Sequence, residues 1–382
     1  MKVYLDNAAT TRVDDKVLKA MMPFFSEHYG NASSLHIEGT EAKNALERSR
    51  KTISNILNSN TREIYFTSGA TEANNWALKG LFWANHPKKN HIVTSKIEHD
   101  SVLDTCRWLE KQGAKVTYLD VDKDGFVNPE DVEKAITDKT FLVSIMHGNN
   151  EIGTIQDLKS IGEICDKKGV LFHSDATQTF TKINIDVKKM KLDLVSINSH
   201  KINGPKGVGA LYICDGIKIE SLMHGGGHER KKRSGTENVP GIVGFAKAAD
   251  SISSKDLKKM SRLRDRLIDG IMDNIPNTKL NGPRGDRRLQ NNVNISFTNV
   301  EGEAVGGYLE NQGIYVSTGS ACMSNTLSSS HVLKALKLTD LEQNSSIRFS
   351  LSKYTTEKDI DYVLKVLPKV IEKLRRLSPV LN

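Results

Sequence analysis

Lys201 lies in a sequence context that suits covalent chemistry. It follows the apolar run LDLVSINSH and precedes the glycine-rich stretch INGPKGVGALYI. A run with β-branched residues predicts a buried strand, and a lysine at the end of such a strand is costly to bury unless it is paired, neutral or covalently used. Because a desolvated amine loses its charge easily, it can form a Schiff base with an aldehyde. A solvated lysine at a strand end is the alternative, and the neighbouring residues decide between the two.

Other polar residues also follow runs that predict strands. These groups are Ser68-Gly69-Ala70-Thr71, Glu98-His99, Asn149-Asn150-Glu151, Asp175-Ala176-Thr177-Gln178 and His200-Lys201. In a parallel sheet the carboxyl ends of the strands meet at one edge, where ligands bind. The sequence therefore predicts one ligand site built from all five groups.

The elements that position these residues alternate between strand-like and helix-like patterns from about residue 60 to 215. Seven strand-like runs separated by helical patterns predict an α/β fold with a mainly parallel seven-stranded sheet covered by helices on both faces. After about residue 255 a basic amphipathic helix leads into a smaller α+β region. We predict a large domain over 15–255 and a small domain formed by 1–14 with 256–382, which carries a loop at about 317–330.

Size and composition narrow the class of protein. The chain has 382 residues and a net charge of +8, a length that favours a two-domain enzyme and a charge excess too mild to indicate nucleic-acid binding. No stretch is long and apolar enough to span a membrane, and the N-terminus has no signal-peptide core. We expect a cytosolic protein without membrane contact.

The four cysteines divide into two kinds. No pair has CxxC spacing, so neither a metal site nor a disulfide framework is expected. Cys106, Cys165 and Cys214 lie in patterned helical or strand segments, which predicts packed, unreactive thiols. Cys322 lies in STGSACMSNTLSSS, where small and polar residues dominate. We expect an accessible loop cysteine there with a reactive thiolate.

Several other residues allow two interpretations when each is taken alone. Thr71 follows a glycine between a strand and a helix, so it can be an N-cap, a phosphate ligand or both. Asp175 ends the run GVLFHSD and is either a cap or a partner for a cation. His99 is either a helix-start residue or a group for proton transfer. Arg348, in SSIRFSLS, either binds the α-carboxylate of a substrate or pairs with an acidic residue at the surface.

Together, the motifs have a specific compound pattern. They are YLDNAATT, TSGATEANN, EHDSV, GNNEIGT, HSDATQ, SHKINGPKGVG, RSGTEN, STGSACMS and FSLSKYTTEKDID. In this order, over nearly the whole chain, they resemble the pyridoxal-phosphate-dependent cysteine desulfurases of the housekeeping iron–sulfur-assembly type. That family belongs to the class-V aminotransferases, whose fold is the aspartate-aminotransferase-like fold type I.

The resemblance implies pyridoxal 5'-phosphate as cofactor and assigns its contacts. Lys201 corresponds to the lysine that forms the Schiff base and moves the proton at the substrate α-carbon. Asp175 corresponds to the partner of the pyridine nitrogen, and Gln178 to the donor to the phenolic oxygen. His99 corresponds to the histidine that stacks on the ring and transfers protons, and Asn150 to an asparagine near ring and substrate.

The resemblance also implies a phosphate cup. Ala70 and Thr71 contribute the start of a helix, and His200 contributes its ring. Asn198 replaces a serine that many relatives carry, and because its amide can donate a hydrogen bond we expect modestly altered cofactor affinity. Thr236, in RSGTEN, corresponds to a phosphate ligand supplied by the second subunit, which implies a homodimer.

The implied reaction removes sulfur from L-cysteine and releases L-alanine. Arg348 would bind the substrate carboxylate with help from Asn7, and Cys322 would carry a persulfide to an acceptor such as an iron–sulfur scaffold. Relatives continue into a longer C-terminal tail used in docking, so the acceptor contact is expected to differ here.

Two other interpretations remain open at this stage. A related lyase or aminotransferase would act on another amino acid, and the cysteine loop argues against it. An inactive scaffold would retain only the fold, and the presence of Lys201, Asp175, His99 and Cys322 argues against that.

Overall fold

A computed structural model describes residues 1–318 and 330–377 of the chain. Within these ranges, none of the helices combines the length and the apolar character needed to cross a bilayer.

One short strand and three helices precede the main sheet in the chain. They are β1 (Val3–Tyr4), α1 (Asp15–Met21), α2 (Pro23–Ser26) and α3 (Ile37–Leu57). The carboxylate of Asp14 caps α1 by accepting from the Lys16 N–H, and it also pairs with the Lys353 amine. This capping residue therefore ties the first helix to the C-terminal part of the chain.

The alternation of strands and helices begins after a single 3₁₀ turn at Thr61–Glu63. Its elements are β2 (Ile64–Thr67), α4 (Ala70–Asn85), β3 (His91–Ser95), α5 (Asp100–Glu110), β4 (Lys115–Leu119), α6 (Pro129–Ala135), β5 (Thr140–Ser144), α7 (Leu158–Lys168), β6 (Leu171–Asp175), β7 (Leu194–Asn198) and β8 (Gly209–Ile213). These strands form one sheet in the order β2-β8-β7-β6-β5-β3-β4, in which only β8 runs antiparallel to its neighbours. The predicted mainly parallel seven-stranded sheet is confirmed.

Both faces of this large sheet are covered. Leu194 packs in one hydrophobic cluster and the adjacent Val195 in another, and Leu142 and Val143 divide in the same way. Because successive side chains of a strand point to opposite faces, the two clusters lie on opposite sides of the sheet. A strand buried on both faces must be continuously apolar, which explains the runs seen in the sequence.

A second group of elements follows the large sheet. They are α8 (His228–Lys231), α9 (Val239–Ala249), α10 (Ser254–Asn274), β9 (Thr278–Leu280), β10 (Asn292–Phe297), α11 (Gly302–Glu310), β11 (Ile314–Tyr315), β12 (Ser317–Thr318), α12 (His331–Ala335), α13 (Asp340–Asn344), β13 (Ser346–Ser350) and α14 (Glu357–Leu377). Four strands form an antiparallel small sheet in the order β12-β13-β10-β9, and β11 pairs in parallel with β1.

The core of the small sheet recruits the start of the chain. Val3 and Leu5 belong to the same cluster as Leu263 and Ile360, which come from α10 and α14. The helix α12 is different, because its apolar residues join the cluster of the large sheet. Those residues are Val332 and Leu333, and the same cluster includes Leu336 and Leu338, which follow the helix. The predicted small-domain range 256–382 thus contains a helix whose apolar side chains serve the other core.

A buried ion pair fixes the turn at α8. Both nitrogens of the Arg50 fork donate to the Glu229 carboxylate at 2.8 Å, and the Phe66 N–H donates to the same carboxylate. Glu229, Arg230 and Lys231 all have positive φ, between 44° and 66°. Non-glycine residues adopt this conformation in succession only when their surroundings hold them there. The Arg50 contact supplies that constraint.

Replacing Glu229 with alanine should lower the free energy of unfolding by about 3–5 kcal/mol, because Arg50 would remain buried with only the exposed Glu47 carboxylate and the Ile64 carbonyl as partners. Urea unfolding followed by circular dichroism would measure the change. Glu372→Ala removes an exposed pair and should change the free energy of unfolding by less than about 1 kcal/mol. Equal effects of the two variants would contradict a structural role for the Arg50–Glu229 pair.

Candidate active site

The carboxyl ends of the parallel strands carry most of the predicted site residues. Asp175 is the last residue of β6, and Asn198 is the last residue of β7, its neighbour in the sheet. Lys201 follows Asn198 by three residues, and His99 lies in the connection from β3 to α5. The order of the strands therefore places residues that are far apart in sequence along one edge.

The amine of Lys201 lies against the segment that follows β1. Its Nζ donates to the carbonyl oxygens of Ala8 and Ala9 at 2.5 and 2.6 Å. The Gln178 side-chain amide donates to the same Ala8 carbonyl at 3.2 Å. Lys201 and Gln178, both predicted cofactor contacts, are thus brought together by one backbone segment.

A second lysine lies close to Lys201. Lys182 is buried and lines a small cavity together with Lys201, Lys353 and Asn291. Burial, reinforced by the charge of Lys201, lowers the pKa of the Lys182 amine to about 7. Among the described residues, no carboxylate lines this cavity.

Asp175 is buried and hydrogen-bonded on both oxygens. Its Oδ1 accepts from the Thr177 N–H at 2.9 Å, and its Oδ2 accepts from the Asn74 amide at 2.7 Å. These donors fix the direction of the carboxylate. A fixed buried carboxylate is suited to pairing with a protonated ring nitrogen.

Glu98 lies in the same region as Asp175, but only one of its carboxyl oxygens is hydrogen-bonded among the described residues. It is completely buried, and its Oε1 accepts from Ser95 Oγ and from the Met146 N–H. Its Oε2 has no hydrogen-bond partner among the described residues. Burial, with a smaller contribution from the nearby charge of Asp175, raises the pKa of the Glu98 carboxyl to about 8. A protonated Glu98 adds no second negative charge beside Asp175.

His99 is the N-cap of α5. Its Nδ1 accepts from the Ser101 N–H at 3.0 Å and lies 2.9 Å from Ser101 Oγ. The residue is otherwise exposed, so a flat ligand can lie against its ring. Both predicted interpretations, helix start and reaction group, are compatible with this position.

The predicted phosphate contacts meet at the start of α4. Gly69 is the N-cap, and in the described part of the chain no cap side chain accepts from the first N–H groups of this helix. Asn198 Nδ2 lies 3.9 Å from the point where a Cβ on Gly69 would be. Helix N–H groups beside an amide donor fit a phosphate. Thr71 is exposed in the first turn and can face the same ligand.

His200 lies next to this cup. Its ring Nδ1 is 3.1 Å from Thr10 Oγ1, and its backbone N–H donates to Asn198 Oδ1. Burial, followed by the charges of Lys201 and Lys206, lowers the pKa of His200 to about 4. Thr236 is exposed beyond α8, and among the described residues no hydrogen bond joins it to the other predicted phosphate contacts.

Arg348 reaches from β13 toward the large sheet. Its guanidinium donates to the Asp6 carboxylate at 3.0 Å and to the Asn150 carbonyl at 3.3 Å. Its Nε is buried without a hydrogen-bond partner in the part of the chain that the structure describes. A spare N–H on a buried guanidinium fits an additional acceptor such as a carboxylate.

Asn7 has a different arrangement from the predicted one. Its side-chain amide donates to the carbonyls of Tyr4 and Ser350 at 3.1 and 2.8 Å. Both amide hydrogens therefore hold the backbone. Its assistance to a substrate carboxylate stays a prediction and would require one of these bonds to be replaced.

The cysteines can be compared only in part, because Cys322 lies outside the described residues. Cys106 and Cys165 are buried, and Cys214 is half-buried. Burial raises the pKa of all three thiols, that of Cys165 to about 12. Thiols with raised pKa are poor nucleophiles. Over residues 1–318 and 330–377 no cluster of histidine, cysteine and carboxylate side chains is arranged to hold a metal ion.

Sequence patterns do not single out several side chains of this region. Ser101 and Lys182 are each one polar residue in a helix or turn, a pattern typical of solvated positions. Asn74 carries a detectable signal, because it lies at helical spacing from Ala70, Ala77 and Leu81 on a buried face of α4. A polar residue inside an apolar stripe indicates a buried hydrogen bond.

Known proteins share this fold and sequence. The sequence profile of the family described as aminotransferase class-V matches residues 3–363. A cysteine desulfurase IscS of Clostridium botulinum is 52% identical over 99% of this chain and 96% of its own length. A protein of the same name from Methanosarcina thermophila is 50% identical over 99% of this chain and 94% of its own length.

Solved structures agree with the sequence relatives. A NifS-like protein superposes with a TM-score of 0.92 at 42% identity, covering 98% of this chain and 100% of its own. SspA in complex with cysteine superposes with a TM-score of 0.83 at 38% identity, covering 93% of this chain and 100% of its own. The chain belongs to the class-V aminotransferase family and, within it, to the cysteine desulfurases.

Glu98→Gln should flatten the dependence of stability on pH. In the unfolded chain a glutamate titrates near about pH 4.3, whereas burial raises the pKa of Glu98 in the folded protein to about 8. The folded protein thus retains a proton that the unfolded chain releases, so this stabilising contribution is complete below the lower value and is lost as pH rises to the higher one. Glutamine keeps an acceptor for Ser95 and cannot titrate.

Melting temperatures from pH 5 to 9 would test this prediction. The wild type should lose more stability than Glu98→Gln as pH rises, whereas the exposed control Glu130→Gln should follow the wild type. A Glu98→Gln curve parallel to the wild type would show that Glu98 is ionised in the folded protein.

Proposed function

We propose that this chain uses pyridoxal 5'-phosphate to remove sulfur from L-cysteine, releases L-alanine and stores the sulfur as a persulfide on Cys322. The observation that carries the proposal is the placement of the Lys201 amine at the same sheet edge as the buried carboxylate of Asp175. The solved structure of SspA in complex with cysteine supports cysteine as the substrate.

The described residues fit the cofactor. Lys201 offers an amine for its aldehyde, and the start of α4 with Asn198 offers donors for its phosphate. Asp175 offers a fixed negative charge for its pyridine nitrogen, and the exposed ring of His99 offers a surface. When bound, the cofactor withdraws electrons from the substrate α-carbon, which makes the hydrogen on that carbon acidic.

Lys201 then acts as the base that takes the α-proton, a role that requires an uncharged amine. Lys182 lines the same small cavity, and the charge of Lys201 adds to burial in lowering the pKa of the Lys182 amine. The charge of Asp175 remains available to the ring, because Glu98 is held in its protonated form by burial.

Arg348 is proposed to hold the substrate carboxylate. Asp6 and the Asn150 carbonyl hold its guanidinium in place. A carboxylate at the remaining N–H would orient the α-carbon toward Lys201. Asn150 would serve this region through its position beside Arg348.

The sulfur step requires a nucleophilic thiol. The Cys322 thiolate would bond to the substrate sulfur, and the electron pair of the carbon–sulfur bond would stay with the carbon skeleton, which takes up protons and leaves as alanine. Cys106, Cys165 and Cys214 are unsuited to this role, because burial raises the pKa of each thiol. The persulfide would pass to an acceptor protein such as an iron–sulfur scaffold.

The proposed enzyme is a homodimer in which Thr236 reaches the phosphate of the other subunit. Thr236 is exposed in the single chain. Several large apolar side chains before and at the start of α3 are also exposed, which is typical of a surface that another protein covers. They are Met22, Phe25, Tyr29, Leu35 and Ile37.

Lys201→Ala should abolish the visible absorbance of the bound cofactor and reduce alanine formation from cysteine by at least about 100-fold, because the base would be lost. Absorbance spectra and amino-acid analysis would measure both effects. Lys218→Ala, a change at an exposed lysine, should alter neither. Normal alanine formation by Lys201→Ala would refute the proposed function.

Cys322→Ser should keep the cofactor absorbance and form no persulfide, because a hydroxyl is a far weaker nucleophile than a thiolate. Mass spectrometry of the intact protein after incubation with cysteine would detect the added sulfur. Cys214→Ser should still gain it. Sulfur transfer by Cys322→Ser at the wild-type rate would move the acceptor role to another residue.

A further inference from the structure

A buried asparagine links two of the predicted cofactor contacts. Asn74, on α4, is completely buried. Its Nδ2 donates to Asp175 Oδ2 at 2.7 Å and to Ser101 Oγ at 2.8 Å. Ser101 Oγ in turn lies 2.9 Å from Nδ1 of His99. A continuous hydrogen-bonded chain therefore runs from the carboxylate to the histidine.

Chemistry fixes the direction of each bond in this chain. The Asn74 amide must turn its NH₂ group toward Asp175, because its oxygen would repel the carboxylate. The second hydrogen of that group goes to Ser101 Oγ. With its oxygen accepting from Asn74, the Ser101 hydroxyl has its own hydrogen free to donate to His99 Nδ1.

The backbone N–H of Ser101 also indicates that Nδ1 of His99 is unprotonated. The Ser101 N–H, at 3.0 Å from His99 Nδ1, can only donate. Nδ1 therefore accepts hydrogen bonds from the N–H and the O–H of the same residue. An imidazole whose Nδ1 accepts carries its hydrogen on Nε2.

We propose that Asn74 and Ser101 are positioning residues that hold His99 in the Nε2–H tautomer and join its orientation to that of Asp175. The consequence for catalysis rests on the proposed function. A proton on Nδ1 would displace both hydrogen bonds, so His99 presents an N–H donor to the substrate through Nε2. The abstraction of the α-proton is then left to Lys201.

Nitrogen NMR of the holoenzyme labelled with ¹⁵N-histidine would test the tautomer directly. Comparison with His99→Asn assigns the signals. We expect Nδ1 of His99 to show the shift of an unprotonated acceptor and Nε2 that of a protonated nitrogen. A protonated Nδ1 would overturn the proposal. This measurement does not depend on turnover, so a protein with this tautomer but no desulfurase activity would refute the proposed function alone.

Variants of the two positioning residues test the link between them. Asn74→Ala and Ser101→Ala should each lower kcat on the order of tenfold with little change in KM, because the reacting groups lose their alignment. Ser101→Thr keeps the hydroxyl and should restore most of the rate. Asn74→Ala should also shift the visible absorbance maximum of the bound cofactor, since Asp175 loses a donor.

The double variant and a control complete the test. Residues that act through one chain are not additive, so Asn74→Ala/Ser101→Ala should be no slower than the slower single variant. Asn85→Ala, at the far end of α4, should leave kcat and absorbance unchanged. A double variant whose loss equals the product of the single losses would show that the two residues act independently and would overturn the proposed link.

Discussion

The hydrogen bonds from the Lys201 amine to the carbonyls of Ala8 and Ala9 connect the large sheet with the segment that follows β1. The accepting segment leaves β1, which pairs with β11 and packs into the small-sheet core. The donating amine follows β7 of the large sheet. One short backbone segment thus aligns the reactive amine with both sheets, and Gln178 uses the same carbonyl. Arg348 of the small sheet donates to Asp6 in the same segment.

At the carboxyl edge of the large sheet, the number of acids and amines does not give the charge, because burial changes the pKa values of some of these groups. Asp175 accepts hydrogen bonds from two donors, whereas burial raises the pKa of Glu98. Lys182 similarly loses its charge easily beside Lys201. Two acids and two amines therefore take different roles, because their surroundings differ more than their chemistry does.

The strands, most helices and the family were predictable from sequence, because burial on both faces requires continuous apolar runs such as LVSIN in β7 and the motifs are specific as a set. Contacts between individual residues were harder to predict from the sequence. Asp6, the partner of Arg348, lies 342 positions away in the chain, and no local pattern indicates such a pair. The packing of α12 into the large-sheet core was also hidden, because apolar spacing identifies a buried face and does not name the neighbour that covers it. The roles of the individual site residues, Cys322 included, stay predictions.

The buried Arg50–Glu229 pair has a consequence for dimers in which only one subunit carries a defect. It anchors the left-handed turn at α8, and that turn leads directly to Thr236. In the proposed dimer, Thr236 contacts the phosphate site of the other subunit. A chain without the Arg50–Glu229 pair would therefore weaken phosphate binding in the other subunit. In cells that make both forms, one defective copy of the gene would then impair the product of the healthy copy, and the defect would behave as dominant.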